Sequence, residues 1–262
     1  MKLRSLICVS AVAAAMSAAA TTTVTSGNTF CRLPVNSEFA STIIALPFSG
    51  CGEDQMQIYV TNLVQTTNLT DGDTLLWKNA SGTWYAWEFN GTAWAAVRTA
   101  TVNGSDVTTP ANETAIPCGQ ACWLNRQNAA SQPVFYLYGQ VNTSKRSVEV
   151  AAGTGTQPTY TIVGYPYEAA PLNLATWTGG NVGDTILVPE SGNNFGYKEY
   201  RRGASKWQVS TPTYSTKINP RTKKETTVIT GYTYADTSDT IAAGLGFMYG
   251  RLANSALTLN WN

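Results

Sequence analysis

Acidic side chains are the residues of this chain that best suit catalysis. The 262 residues include no histidine, which excludes Ser-His-Asp and Cys-His machinery. Asp73 and Asp184 each stand between Gly and Thr, and an ungapped register from them pairs Glu88 with Glu199. Most glycoside hydrolases use two carboxylates as their catalytic residues. The structural alternative, which the sequence favours, is a Gly-Asp-Thr turn whose carboxylate caps backbone amides. We therefore assign no catalytic residue.

Four cysteines remain after the predicted signal peptide, and their even number indicates two disulfides with three possible connectivities. Proximity along the chain favours Cys31–Cys51 and Cys118–Cys122. The alternative of a metal site is disfavoured, because a single C-x₃-C without histidine does not supply a zinc ligand set. No P-loop and no dinucleotide-binding glycine motif is present. We predict structural cysteines, no metal and no cofactor.

Aromatic residues are concentrated between Trp77 and Trp94. In an extended segment Tyr85, Trp87 and Phe89 share one face, because alternate side chains point to opposite sides of a strand. One face of rings is expected at the surface, where sugar rings could stack. Trp87 also falls opposite a lysine in the second half, which indicates a surface position. Tyr85 and Trp87 are the candidate ligand contacts; ordinary packing of β-sheet aromatics is the alternative.

Two arginines recur at matching positions, Arg126 and Arg251. Their guanidinium groups could bind an acidic ligand through a bidentate fork, and both are candidate ligand-binding residues. The structural alternative is a bridge to a carboxylate, or a cap on carbonyl groups, inside the protein. The segment Arg221-Thr222-Lys223-Lys224 is predicted as the basic tip of a long hairpin, either facing an anionic partner or simply solvated.

The sequence segments that would position these residues occur twice in the chain, as an internal repeat. Four blocks recur in the same order, with Thr42 returning at Thr161 and Ile116 at Ile241. This separation is the length of a domain rather than that of a solenoid repeat. Asn90-Gly91 and the other turn signals between short aromatic or β-branched runs predict antiparallel strands. The predicted fold is all-β, with two tandem related antiparallel β-sandwich or jelly-roll-like modules.

The predicted boundaries follow from the repeat and from composition. Residues 1–20 resemble a secretory signal peptide, and residues 21–40 form an N-terminal lead-in. Module one is placed at 41–141 and stapled by disulfides. A linker follows at 142–158, with a short strand at 147–151 as the alternative, and module two, with the long basic hairpin, at 159–262. We expect a secreted protein, whether periplasmic, cell-surface or extracellular.

Charge limits the classes of partner. Charged residues are 13% of the chain, against about 25% in typical soluble proteins. Of 17 basic and 16 acidic side chains, two basic ones lie in the signal, so the mature chain carries a net charge of −1. Neither half is basic enough to read nucleic acid. No later segment has the length of apolar sequence that a transmembrane helix requires.

One block resembles a known sequence pattern. An aromatic meander followed by Ile-x-x-Gly-x-Gly-Phe, here Ile241 to Phe247, is similar to uncharacterised β-rich repeat modules of exported bacterial proteins. The resemblance implies a β-rich exported module and no activity. The first half departs from the pattern, with Cys122 at the Phe position.

These observations favour a secreted, non-catalytic protein that binds a glycan or a surface partner through exposed aromatics of module one. The alternative is a structural or assembly component of a cell surface, in which open sheet edges and the long hairpin associate with further copies. A carboxylate-dependent glycosidase is the third hypothesis.

Overall fold

The described residues contain strands and no helix, which confirms the predicted all-β class. The computed structural model describes residues 30–38, 40–45, 48–49, 57–59, 68–79, 83–97, 99–102, 105–108, 115–117, 120–141, 146–165, 171–190, 196–218 and 220–261. The predicted signal peptide, Cys51 and Cys118 lie outside these ranges, as does residue 39 of the lead-in and everything before residue 30.

The described residues form twelve strands in the first half of the chain and ten in the second. Those of the first half are β1 (Phe30–Asn36), β2 (Ser41–Ala45), β3 (Phe48–Ser49), β4 (Gln57–Tyr59), β5 (Thr74–Lys78), β6 (Trp84–Phe89), β7 (Trp94–Ala96), β8 (Thr99–Val102), β9 (Ser105–Thr108), β10 (Ala115–Pro117), β11 (Ala121–Asn125) and β12 (Val134–Val141).

Ten strands follow in the second half. They are β13 (Arg146–Val150), β14 (Thr159–Gly164), β15 (Leu172–Asn173), β16 (Thr185–Pro189), β17 (Tyr197–Arg202), β18 (Trp207–Ile218), β19 (Glu225–Asp236), β20 (Thr240–Ile241), β21 (Gly246–Arg251) and β22 (Leu257–Trp261).

Each half has one large sheet and one small ladder. The first half has a five-stranded sheet, β2-β11-β5-β6-β7, and a three-stranded sheet, β1-β12-β3. The second half has a six-stranded sheet, β14-β21-β16-β17-β18-β19, and the pair β13-β22. Two-stranded pairs β10-β4 and β15-β20 flank the large sheets, and β8-β9 forms a separate hairpin. All pairings among the described strands are antiparallel, both in the hairpins and between strands distant in sequence.

Pairing registers show how the central strands of the two halves correspond. Asn125 lies opposite Thr74, and Gly250 lies opposite Thr185. The next residues along the chain are Arg126, directly after β11, and Arg251, the last residue of β21. Cys122 lies opposite Ile44 just as Phe247 lies opposite Val163, so the two stand at equivalent positions.

The ungapped register fails at the next hairpin. Lys78 pairs with Trp84 in the first half, whereas Pro189 pairs with Tyr197 in the second, so the second turn is two residues longer. As a result Trp87 pairs with Leu75 where Tyr200 pairs with Ile186. Trp87 therefore corresponds to Tyr200 and not to Lys198, and Glu88 does not correspond to Glu199.

Each half buries its own apolar cluster between the large sheet and the small ladder. In the first half Val35, Phe135 and Leu137 of the ladder pack with residues of the large sheet such as Leu75 and Trp87. In the second half Val148 and Trp261 pack with residues such as Ile186, Trp207 and Tyr249. Burial of so many large side chains is the main source of stability, at about 1.5–3 kcal/mol for each fully buried aliphatic or Phe side chain.

The halves also touch each other closely through the turn before β21. Leu245 packs against both apolar clusters, and the amide of Ala45 donates to the Gly244 carbonyl at 2.9 Å. A Cβ placed on Gly246 would lie 2.7 Å from Ile43 Cγ2, and one on Gly164 would lie 2.4 Å from the Gln120 carbonyl oxygen. The repeated glycine block of the second half therefore forms a contact with the first half.

The predicted linker contains ordered structure. Residues 146–150 of this segment form β13, which pairs with β22. Downstream, the amide of Gly153 donates to the Ala253 carbonyl at 2.8 Å, and that of Gly155 donates to the Leu252 carbonyl at 2.8 Å. The segment thus belongs to the second half from residue 146 onwards.

Candidate binding surface

Asp184 lies at the centre of a buried hydrogen-bond network. Its carboxylate accepts from Arg251 Nη1 at 2.9 and 3.2 Å, from the Tyr249 hydroxyl at 2.5 Å, and from the amides of Asn181 and Leu252. Burial, followed by the hydrogen bond to Asp184, raises the pKa of Tyr249 well above its usual value. Asp184 and Arg251 are almost fully buried, so this carboxylate and this guanidinium position the strands and do not face a ligand.

Asp73 makes the corresponding turn in the first half. Its carboxylate accepts from the amides of Thr70 and Gln127 at 3.0 and 2.7 Å, as Asp184 accepts from Asn181 and Leu252. Asp73 is also buried. Both recurring aspartates thus cap backbone amides, the arrangement expected for Gly-Asp-Thr turns.

Arg126 uses its guanidinium differently from Arg251. It donates to the carbonyl oxygens of Asn68 and Pro133 at 3.0 and 3.3 Å, and also to that of Gln132. Burial lowers the pKa of Arg126, and the charge of Asp73 acts in the opposite direction. Because Arg126 is 3% exposed, its side chain joins backbone segments inside the protein.

The expectation of a surface position for Trp87 is wrong. Trp87 is completely buried, since it occupies the core position that Tyr200 occupies in the second half. Tyr85 is half-buried and stacks on Trp87, with ring centroids 6.2 Å apart. Strand β6 also contacts β8 and β9. The aromatic residues of this meander belong to the packing of the first half.

Cys122 has a free, buried thiol, so the predicted Cys118–Cys122 disulfide is not formed. The thiol points into the apolar cluster of the first half, where Phe247 stands in the second. Burial strongly raises its pKa. Of the other predicted disulfide, Cys51 lies outside the described residues, and the side chain of Cys31 is likewise not described.

The described residues hold neither a metal-binding cluster nor a membrane-spanning helix. Within the described ranges no group of three or more His, Cys, Asp or Glu side chains could hold a metal ion. Nor does any helix in the described part of the chain have the length and apolar character needed to cross a bilayer.

The strongest candidate for a contact surface is one face of the hairpin formed by β18 and β19, which we call the tyrosine face. Its register pairs Pro212 with Tyr232, Tyr214 with Ile229, and Ile218 with Glu225. Alternation along β18 then places five large apolar side chains on the same side. They are Tyr214, Ile218, Ile229, Tyr232 and Tyr234, which are between 40% and 60% exposed.

The opposite face of the same hairpin has a different character. Thr211 lies opposite Thr233, Thr213 opposite Gly231, and Ser215 opposite Val228. These side chains are mostly small and polar. The hairpin is thus two-sided: its exposed rings are confined to one surface, and a continuous exposed apolar surface of this kind usually marks a contact site.

Charged groups flank the tyrosine face at both ends. At its base Arg201 Nη1 donates to the Tyr234 hydroxyl at 3.2 Å, and the guanidinium lies 5.3 Å from the centre of that ring. At its tip Lys223 and Lys224 are exposed, and Lys223 has the positive φ of a tight turn. The cation–π contact and the hydrogen bond from Arg201 together favour this orientation of the Tyr234 ring at the surface.

The sequence predicts part of this surface, because residues 221–224 mark the basic tip of a long hairpin that corresponds to β18–β19. The shared face of Tyr214, Ile229, Tyr232 and Tyr234 has no regular spacing along the sequence, because the bulge between Thr213 and Tyr214 shifts the register.

Comparisons with known proteins return no match, whether with protein-family models, with curated proteins or with solved structures.

Proposed function

We propose that this chain is an exported, non-catalytic binding protein and that the tyrosine face of β18–β19 contacts a glycan. The single observation that carries the proposal is the placement of five exposed apolar side chains on one side of the hairpin. Tyrosine suits such a role, because its ring offers apolar area and its hydroxyl a hydrogen bond.

The architecture proposed for this protein is a pair of tandem related β-sandwich modules. In support, β11 pairs with β2 and β5 as β21 pairs with β14 and β16. In both halves the small ladder and the large sheet enclose one apolar cluster. The carboxylates of Asp73 and Asp184 accept hydrogen bonds from backbone amides at equivalent positions of the two halves. Export is proposed from the signal-like residues 1–20.

An extended hairpin with several rings on one face matches an extended polysaccharide better than a small molecule. Tyr232 lies opposite Pro212, two residues from Tyr214, so the two rings are diagonal neighbours, and the hydroxyl groups of Thr216 and Thr227 lie on the same face. Stacking on exposed aromatics contributes about 1–3 kcal/mol per ring where it has been measured with bases. Several weak contacts of this size would give selective binding to a chain of sugars.

The test is binding of the mature chain, residues 21–262, to a broad glycan array, with two variants beside it. Tyr214→Thr/Tyr232→Thr removes two rings from the face, and we expect affinity to fall by about tenfold or more. Tyr160→Thr is the matched control, because Tyr160 is equally exposed but lies on β14. Absence of binding, or equal loss in both variants, would contradict the proposal.

A structural or assembly role is the second candidate, and a different feature favours it. Strand β19 ends the six-stranded sheet, so one edge of the hairpin has no strand beside it among the described residues. The glycosidase hypothesis has no such support, since Asp73 and Asp184 are buried and engaged with backbone amides.

A further inference from the structure

The outer edge of β19 is the longest open strand edge that the described residues present. β19 has 12 residues and stands last in its sheet, which corresponds to an edge of about 40 Å. A free edge exposes a row of backbone N–H and C=O groups that can accept another strand. The other end strand of this sheet, β14, contacts β2, β11 and β13.

This edge lacks most of the features that usually prevent strand pairing. From Thr226 to Ala235 the sequence has no charged residue and no proline, and threonine, valine, isoleucine and tyrosine all favour extended structure. Proteins commonly protect edges with lysine, proline or very short strands. The large sheet of the first half ends instead at β7, the counterpart of β18, which has only three residues. The bulge at Thr230 interrupts the edge once and leaves a regular segment on either side.

Charge indicates the orientation of a partner strand. Lys223 and Lys224 lie just before β19, which begins with Glu225 and ends with Asp236, so the tip keeps a net positive charge and the other end of the strand is acidic. Two copies aligned in parallel would bring their lysine tips together, whereas an antiparallel arrangement separates the tips and places each near Asp236 of the other copy. Asp236 remains more than half exposed beside Lys206, at 3.5 Å. An antiparallel pair of identical edges is also self-complementary, as a two-fold interface requires.

We propose that β19 pairs antiparallel with β19 of a second copy of this chain, which joins the two six-stranded sheets into one. Hydrogen bonds between the edges supply the register, and Ile229 and Tyr232 of both copies come side by side on one surface. This interaction uses the edge of the hairpin and not its face, so it stands independently of glycan binding.

The test is sedimentation velocity of the mature chain over a wide range of concentration, with a matched pair of double variants. Thr227→Lys/Thr233→Lys places charges on the edge strand. Thr211→Lys/Thr216→Lys places the same charges on their direct cross-strand partners in β18. All four threonines are exposed. We expect a monomer–dimer equilibrium in the wild-type chain and the β18 variant, and loss of the dimer in the edge variant. A wild-type chain that stays monomeric, or equal behaviour of the two variants, would overturn the proposal.

Hydrogen exchange provides a readout that does not depend on substitution. Amide protection in residues 225–236 should rise with protein concentration, while protection in residues 207–218 should stay constant. Protection of β19 that is already complete in dilute, monomeric protein would assign the edge to a segment of the same chain and would overturn the proposal. Circular dichroism of each variant confirms that the sheets remain folded.

Discussion

Asp184 and Arg251 form an ion pair that is almost fully removed from water, with Arg251 Nη1 2.9 Å from Asp184 Oδ2. Arg126 occupies the equivalent position, next to the residue that pairs with the strand of the Gly-Asp-Thr turn, but it donates to backbone carbonyl groups. Two related frameworks thus satisfy the same buried arginine in different ways. The difference makes the contribution of the ion pair measurable within one molecule.

Asp184→Asn should destabilise the protein more than Asp73→Asn. Removing the charge of Asp184 leaves Arg251 buried without its counterion, which typically costs about 3–5 kcal/mol. The same substitution at Asp73 weakens two hydrogen bonds to backbone amides and removes a charge that acts on Arg126 without an ion pair, so it should cost about 1–3 kcal/mol. Urea unfolding of both variants at neutral pH measures the difference. Equal losses would show that the ion pair adds nothing beyond the turn.

Tyr249→Phe should change the pH dependence of stability. The folded pKa of Tyr249 is raised by burial and by its hydrogen bond to Asp184. A raised pKa contributes stability that is complete below the unfolded value of about 10 and is lost as pH rises above it. The variant lacks this contribution, so the gap in unfolding free energy between wild type and variant should shrink from about pH 9 to pH 11.

The check is urea unfolding of both proteins at the two pH values, with far-ultraviolet circular dichroism to confirm the native fold at the higher one. Near neutral pH the lost hydrogen bond should cost about 1–3 kcal/mol. A gap that stays constant or widens with pH would contradict the role assigned to the hydroxyl.

Strands could be predicted from the sequence where turns and β-branched runs alternate. The sequence predicts β5 and β22, because turn-forming residues follow β5 directly and Leu257-Thr258-Leu259 alternates with period two. It does not predict β4, since Gln57–Tyr59 pairs with the distant β10. A three-residue strand held by a distant partner has no local signal.

Site prediction failed where it depended on register. An ungapped alignment of the two halves matches Trp87 with Lys198 and predicts a surface position. Because the turn in the second half is two residues longer, Trp87 in fact corresponds to the core residue Tyr200. The predicted contact residues are therefore not at the surface. Trp87 is buried, and Arg126 and Arg251 donate hydrogen bonds to groups inside the protein. Single-sequence reasoning detects that two segments are related more easily than it detects a short insertion between them.

Cys122 should react with thiol reagents only after unfolding. Its thiol is buried in the apolar cluster and its pKa is strongly raised, so both access and thiolate formation are prevented. Alkylation without reductant, followed by peptide mass spectrometry, should label Cys122 in denaturant and leave it unlabelled in the native protein. Labelling that requires prior reduction would reinstate a disulfide at this position.

Gly246→Ala should destabilise the contact between the two halves. Its new methyl group would lie 2.7 Å from Ile43 Cγ2 and 2.8 Å from the Val163 carbonyl oxygen, and overpacking of this kind costs about 1–3 kcal/mol. Gly231→Ala, in the exposed hairpin, is the matched control. There the nearest atom is Thr213 Oγ1 at 3.3 Å, on a side chain with room to move.

Thermal unfolding measures the difference between these two alanine variants. Gly246→Ala should lower the midpoint by several degrees, since about 1 kcal/mol corresponds to about 2–4 °C in a chain of this size. Gly231→Ala should leave the midpoint close to that of the wild type, because alanine is less costly to order in a strand. If both variants unfold together at the wild-type temperature, the two halves are not packed through Gly246 and Ile43.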